Sequence, residues 1–215
     1  MKETNQSLEG IYTTHHRDRR GESFILQGDI RGAFLKETIG TGKKVLDIGC
    51  RDGALTGYYA QGNEVLGLDI DSDALARAQA KFGIETKHTD LHGDWGVPAN
   101  SFDVVVAAEV IEHLYYPDVV LEKILIALRS GGMLVGSVPN AFSLANRLRF
   151  LLGTKKGTPL SDPTHINQFS RPEFESLLKK YFHEVEIIPL GRFSFFDKFF
   201  PGLFSFMILF RAKKK

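Results

Sequence analysis

The sequence of 215 residues has a single cysteine, Cys50, and therefore cannot form an internal disulfide bond. It also lacks any run approaching the ~18 apolar residues that a membrane-spanning helix needs. Its polar N-terminus has no apolar core of the kind that a signal peptide requires. The formal net charge is only +1, so nothing points to a nucleic-acid partner. These absences and the ordinary composition predict one globular, cytoplasmic domain with a substantial core.

The most informative stretch runs from Lys43 to Asp71. Two apolar runs, 45–48 and 65–68, are separated by a glycine-containing turn and a short segment, 54–60, that is compatible with a helix. This order predicts a strand, a tight turn, a helix and a parallel strand. Glycines let a ligand approach the backbone, and the N–H groups that begin a helix attract an anion. Asp69 ends the second strand, where its carboxylate can accept hydrogen bonds from ribose hydroxyls.

A dinucleotide is disfavoured as the ligand. Its fingerprint, G-x-G-x-x-G/A, requires a second glycine where this chain has Arg51, and that glycine lets the backbone approach the pyrophosphate. A nucleotide-dependent oxidoreductase therefore remains only as an alternative.

Strand and helix patterns alternate through the middle of the chain, which predicts an α/β fold with a parallel sheet and helices on both faces. After the second strand, helices are predicted over 73–82, with Ser72 as N-cap, and over 117–129. Further strands are predicted over 84–89, 102–107, 133–138, 185–188 and 204–210, and further helices over 22–39, 142–152 and 172–181.

The sequence from Asp47 to Gly53 resembles motif I of the class I S-adenosylmethionine (SAM) methyltransferases, D-x-G-x-G-x-G. The resemblance implies a Rossmann-like, seven-stranded, mostly parallel sheet whose last strand is antiparallel. It also implies that SAM is the cofactor. The residues that would bind it are Asp47, Gly49 and Gly53 of the turn, Asp69 with Ile70 at the ribose and adenine, and Asp90 with Leu91 at the adenine.

The segment from Ala108 to Leu114, AEVIEHL, is similar to one in ubiquinone-biosynthesis-type O-methyltransferases. If it is helical, Glu109, Glu112 and His113 share one face. The resemblance then implies a site for Mg²⁺ or another divalent ion on these three residues. The alternatives are that His113 is a general base, or that the acids face the helix dipole and the histidine packs.

His165 begins an H-x-x-x-F-[ST] pattern that this methyltransferase group also has late in the chain. The resemblance implies that His165 faces the substrate and is a second candidate catalytic base. The competing interpretation is a histidine that only orders its loop.

Eight of the 17 phenylalanines lie between Phe193 and Phe210. Most are expected in the core. The loop around 193–200 is harder to bury, and it allows an apolar wall for a lipid-like acceptor, a homodimer contact or a peripheral membrane contact.

The resulting hypothesis is SAM-dependent methyl transfer to a hydroxyl of a small-molecule acceptor. The alternative is a non-catalytic SAM-binding regulatory or scaffolding protein. The single domain 1–215 would comprise an N-terminal arm and helix (1–40, the arm being a solvated segment or a lid), a SAM-binding core (43–140), a substrate-side insert with helices (141–203) and the last strand (204–212).

Overall fold

A computed structural model of the chain describes Gly10 and residues 25–215. Apart from Gly10, the predicted N-terminal arm lies outside the described residues, as do residues 22–24 of the helix predicted over 22–39. Residues 25–27 are not helical, so the start of that helix was predicted too early and it begins at Gly28. Seven strands are described: β1 (Lys44–Ile48), β2 (Glu64–Asp69), β3 (Glu85–His88), β4 (Phe102–Ala108), β5 (Leu128–Pro139), β6 (Glu184–Leu190) and β7 (Met207–Lys213). Within residues 25–215, five α-helices accompany them: α1 (Gly28–Ile39), α2 (Ser72–Phe82), α3 (Pro117–Ala127), α4 (Leu144–Leu151) and α5 (Arg171–Tyr181).

The strands form one sheet in the order β3-β2-β1-β4-β5-β7-β6. β2 runs parallel to β1 and β3, and β4 runs parallel to β5. β7 is antiparallel to both of its neighbours. The predicted Rossmann-like fold, a mostly parallel seven-stranded sheet with an antiparallel last strand and flanking helices, is therefore confirmed.

The chain divides into two compact units, one ending at Gly96 and the other beginning at Val97. The organisation into a single domain stays a prediction. In the first unit, the buried side chains of Val45, Leu46 and Ile48 make β1 a core strand. α2 follows β2, and its C-cap is Gly83, whose φ of 66° is the left-handed conformation in which glycine is favoured at a helix end.

The core of the second unit contains β4, in which Val104, Val105 and Val106 are all buried. Such a continuous apolar run is typical of a strand that is covered on both faces. α5 begins with a complete capping box, in which Ser170 and Glu173 each accept a hydrogen bond from the other's backbone N–H. This arrangement satisfies two backbone donors at the helix start.

Several predicted boundaries were wrong. The segment 54–60 forms only a short 3₁₀-helix, Thr56–Tyr58, and the N-cap of α2 is Asp71, not Ser72. α3 ends at Ala127, two residues before the predicted end, and β5 begins at Leu128, five residues before the strand predicted over 133–138. β7 begins at Met207, three residues later than the sequence predicted. Among the described residues, no helix combines the length and hydrophobicity needed to cross a bilayer.

Candidate cofactor-binding and catalytic site

Asp47, on β1, is 4% exposed. One oxygen of its carboxylate, Oδ2, accepts hydrogen bonds from Thr56 Oγ1 at 2.6 Å and from the Tyr59 hydroxyl at 2.7 Å. Burial raises the pKa of Asp47 to about 6, while the two hydrogen bonds oppose this shift. Asp47 therefore fixes the segment that follows the glycine turn. Its partners, Thr56 and Tyr59, were missed because no motif in the sequence marks them.

The turn itself has three residues in the left-handed conformation: Gly49 (φ 69°), Arg51 (φ 52°) and Gly53 (φ 71°). Arg51 thus adopts the backbone conformation for which the middle glycine of the motif is suited. At position 53, any other residue is disfavoured by the left-handed φ and also by lack of space, because a Cβ there would lie 2.8 Å from Cδ2 of Phe82. The presence of arginine in place of the motif's middle glycine therefore leaves the shape of the turn unchanged.

Asp69 connects this turn to the end of β2. Its Oδ2 accepts a hydrogen bond from the Arg51 N–H at 2.8 Å, and its Oδ1 accepts one from the Asp71 N–H at 2.9 Å. Burial raises its pKa, and these backbone donors oppose the shift. Each carboxylate oxygen has a second acceptor site, so the same side chain retains the capacity to bind two ribose hydroxyls.

The remaining candidate cofactor residues lie in loops after β2 and β3. Ile70 is half-buried, and its carbonyl oxygen lies 2.9 Å from Nε2 of His88. Asp90 is exposed, and its Oδ1 accepts a hydrogen bond from the His92 N–H at 2.9 Å. The Leu91 carbonyl accepts the indole N–H of Trp95 at 2.9 Å. Asp71 is the N-cap of α2, and its Oδ1 accepts a hydrogen bond from the Ala74 N–H.

In the second unit, the α-helical face proposed for Glu109, Glu112 and His113 does not form. Only Ile111–His113 is helical, as a single 3₁₀ turn. Glu109 has a left-handed φ of 61°, and its Oε1 accepts a hydrogen bond from Ser137 Oγ at 3.1 Å. Because Glu109 lies outside the turn, it does not share a face with the other two residues.

The structure instead brings Glu112 and His113 together with His165. One candidate ligand atom from each of the three lies within 4.8 Å of the others, and the two imidazole rings meet edge to face with centroids 4.7 Å apart. The segment carrying His165 is attached by Asn167, whose N–H donates to the Glu112 carbonyl at 2.8 Å and whose Nδ2 donates to the Leu114 carbonyl at 2.6 Å. These contacts define the histidine cluster: Glu112, His113 and His165.

One hydrogen bond determines the tautomer of His113. Its Nδ1 lies 2.9 Å from the Thr164 carbonyl oxygen, which can only accept, so Nδ1 carries a proton. In the neutral ring, Nε2 then has a lone pair and lies 3.9 Å from Oε1 of the buried Glu112. A carboxylate beside that nitrogen favours a proton or a cation there. Thr164 was missed because it acts through its backbone.

Around a single ion, ligand atoms at about 2.0–2.2 Å from the metal lie no more than about 4.4 Å apart. The histidine cluster is slightly wider than this, so it would have to contract to hold an ion. One carboxylate and two imidazoles suit zinc or manganese better than magnesium, which prefers oxygen ligands. The donor types thus fit a divalent ion, whereas the spacing fits it less closely.

Residues 15–184 match the family model described as a methyltransferase domain. A probable SAM-dependent methyltransferase of Mycolicibacterium smegmatis is 33% identical over 67% of this chain and 53% of its own length. The ubiquinone biosynthesis O-methyltransferase of Shewanella pealeana is 31% identical over 66% of this chain and 64% of its own. The chain spans about half the length of the first of these curated relatives.

Solved structures share the fold at lower identity. A SAM-dependent methyltransferase from Archaeoglobus fulgidus has a TM-score of 0.67 and 20% identity, with 94% of this chain and 99% of that chain covered. The 1,6-didemethyltoxoflavin-N1-methyltransferase of Burkholderia thailandensis, solved with S-adenosylhomocysteine, has a TM-score of 0.66 and 18% identity, covering 95% and 85%. The resemblance inferred from motif I is confirmed by the family match. The chain belongs to the SAM-dependent methyltransferases.

Proposed function

We propose that this protein transfers the methyl group of SAM to a hydroxyl of a small-molecule acceptor. The observation that carries the choice of a hydroxyl is the tautomer of His113, since Nδ1–H donates to the Thr164 carbonyl oxygen and Nε2 is left as the basic nitrogen. Relatives named as ubiquinone biosynthesis O-methyltransferases support the same choice.

The reaction needs little covalent chemistry from the protein. The acceptor oxygen attacks the methyl carbon, the bond from carbon to sulfur breaks, and S-adenosylhomocysteine leaves. The hydroxyl proton must go to a base, and His113 Nε2 has the lone pair to take it. Glu112, at 3.9 Å, would stabilise the imidazolium that results. His165, packed against the His113 ring, is the second candidate base.

Cofactor binding is assigned in the proposal to Asp47, Gly49, Gly53, Asp69, Ile70, Asp90 and Leu91. Asp69 would accept the ribose hydroxyls, and the glycines of the turn would let the methionine end of SAM approach the backbone closely. The local contact of Asp90 with the His92 N–H is compatible with a further bond, because its second oxygen offers additional acceptor sites.

A divalent ion is the second candidate role for the histidine cluster, and the donor types, one carboxylate and two imidazoles, favour it. Glu112, His113 and His165 would hold the ion, and Glu109, whose side chain accepts from Ser137, would not. A bound ion would lower the pKa of the acceptor hydroxyl. Turnover that survives exhaustive chelation would leave the general base as the role of the cluster.

The test combines calorimetric titration with SAM and a screen for S-adenosylhomocysteine formation with small phenols and lipid-like hydroxyls. We expect SAM to bind and at least one hydroxyl acceptor to be turned over. Binding of SAM without turnover of any acceptor would support the non-catalytic alternative. Failure to bind SAM, with binding of NADH detected by fluorescence, would favour the oxidoreductase.

A further inference from the structure

Two neighbouring segments of the second unit expose large apolar side chains together with basic ones. The first, the basic segment, is residues 141–161 and contains α4. The second, the aromatic loop, is residues 191–206 and contains a short 3₁₀-helix, Ser194–Lys198. The Leu144 N–H donates to the Leu203 carbonyl at 2.7 Å, so the two segments are in direct contact.

The apolar side chains of both segments are exposed to an unusual degree. On α4 and just after it, Leu151 and Leu152 are 83% and 82% exposed. In the aromatic loop, Phe195 and Phe199 are 63% and 66% exposed. Phe193, Phe196, Phe200 and Phe206 are exposed as well. A cluster of this kind normally marks a surface that contacts another body.

The aromatic loop is held in place by hydrogen bonds of two buried side chains, Asp197 and Asn140. Asp197, which is 1% exposed, pairs with Arg171 through Oδ2, and the same oxygen accepts the Gly202 N–H at 3.1 Å. The buried Asn140 donates through Nδ2 to the carbonyls of Gly202 at 2.6 Å and Ser205 at 2.7 Å. These bonds fix the loop at Asp197, Gly202 and Ser205, so the phenylalanines between them are presented outward by a defined backbone.

The charges on this surface have one sign. The basic segment carries Arg147, Arg149, Lys155 and Lys156, all exposed, and contains no acidic residue. The aromatic loop adds exposed Arg192 and Lys198, whose cationic groups lie 5.5 Å and 4.8 Å from the ring centroids of Phe193 and Phe199. Its one acid, Asp197, is buried against Arg171.

We propose that this surface docks the protein onto an anionic lipid bilayer, with the exposed phenylalanines and leucines entering the headgroup region and the basic residues facing lipid phosphates. Apolar burial and attraction to anionic lipid are the two contributions that bind peripheral proteins to membranes. A second copy of the chain fits the surface poorly, because a two-fold contact would bring the same cations on both copies together.

The test is flotation of the purified protein with vesicles of phosphatidylcholine alone or with added phosphatidylglycerol. We expect binding only when phosphatidylglycerol is present, and weaker binding at high salt. Phe195→Ser with Phe199→Ser should reduce the vesicle-bound fraction about tenfold, because the apolar contribution is lost. Lys155→Glu with Lys156→Glu should reduce it at least as much.

The control is Ile126→Ser on α3, which removes a comparably exposed apolar side chain outside the surface and should bind like wild type. The proposal is overturned if wild type does not float with anionic vesicles, or if the double phenylalanine variant binds as well as wild type. A wild-type dimer that becomes monomeric in that variant, as measured by light scattering, would also overturn it. The readout is binding, so the result does not depend on whether methyl transfer occurs.

Discussion

The buried acids of the first unit and the histidine cluster of the second are held by contacts of very different range along the chain. Asp47 and Asp69 are bound by groups 9, 12, 18 and 2 residues away. His113 is bound by a carbonyl 51 residues away. The first kind of contact joins residues of one stretch, Asp47 to Asp71, whereas the second joins segments that become neighbours only once the chain has folded. The acids of the proposed cofactor half were accordingly singled out from the sequence, whereas the grouping of Glu112, His113 and His165 in the proposed catalytic half was not.

The contrast between a cofactor half in the first unit and a catalytic half in the second would not hold if His113 had no role in proton transfer. His113→Asn keeps an amide N–H close to the position of Nδ1, and thus the bond to Thr164, but removes Nε2. We expect turnover to fall by about 10²–10⁴-fold, the usual contribution of a general base, with SAM affinity unchanged in calorimetry.

The matched control is His183→Asn, because His183 also has Nδ1 near a carbonyl oxygen, that of Lys213 at 3.2 Å. His183 lies just before β6, and its replacement should leave turnover unchanged. Equal turnover in wild type and His113→Asn would refute the assignment of the base.

Asp69→Ala tests the cofactor half. Two hydrogen bonds from ribose hydroxyls to a charged acceptor would be lost, so SAM and S-adenosylhomocysteine should bind about 100-fold more weakly or worse. Asp73→Ala, at an exposed first-turn position of α2, is the control and should bind SAM like wild type. Wild-type affinity in Asp69→Ala would remove that residue from the ribose site.

The raised pKa of Asp47 predicts that the stability of the fold depends on pH. Its folded pKa, about 6, lies above the ordinary value of 3.8, so the folded state holds the proton more tightly. The stability that this gives is fully present below the unfolded pKa and is lost as pH rises through the folded one. At neutral pH, the shift in pKa therefore lowers the unfolding free energy by about 3 kcal/mol relative to low pH.

Asp47→Asn should remove most of this dependence, since an amide oxygen can still accept from Thr56 and Tyr59. The difference in unfolding free energy between the variant and wild type, from urea denaturation, should therefore grow in favour of the variant as pH rises from about 4 to about 7. A difference that stays constant over that range would show that folding does not raise the pKa of Asp47.

The smallest expected effects compare two positions of one turn. Gly53→Ala places a Cβ at a φ of 71° and 2.8 Å from Phe82, and should lower the unfolding free energy by about 1–3 kcal/mol. Arg51→Gly relieves a left-handed arginine but adds freedom to the unfolded chain, so its net change should stay within about 1 kcal/mol. A larger loss at position 51 would mean that the Arg51 side chain itself stabilises the turn.

Local patterns predicted most of the secondary structure. The strands β1 and β2 and the end of α2 at Gly83 follow from apolar runs and a helix-terminating glycine, and they were placed to within one residue. The start of β7 was wrong because the apolar pattern of residues 204–206 continues into the strand, whereas Asn140 holds Gly202 and Ser205 in a loop. That restraint comes from more than 60 residues away and leaves no local signal.

The sequence by itself determined the alternation of strands and helices, the turn from Gly49 to Gly53 and the acids that end the strands, because these depend on periodicity and on the conformational freedom of glycine. Only the tertiary structure decided that the Glu109 side chain accepts a hydrogen bond from Ser137, whereas His165 lies next to Glu112 and His113. It also decided which phenylalanines are exposed. In each case the reason is physical: the partner lies far along the chain, and only packing brings it within hydrogen-bonding or van der Waals distance.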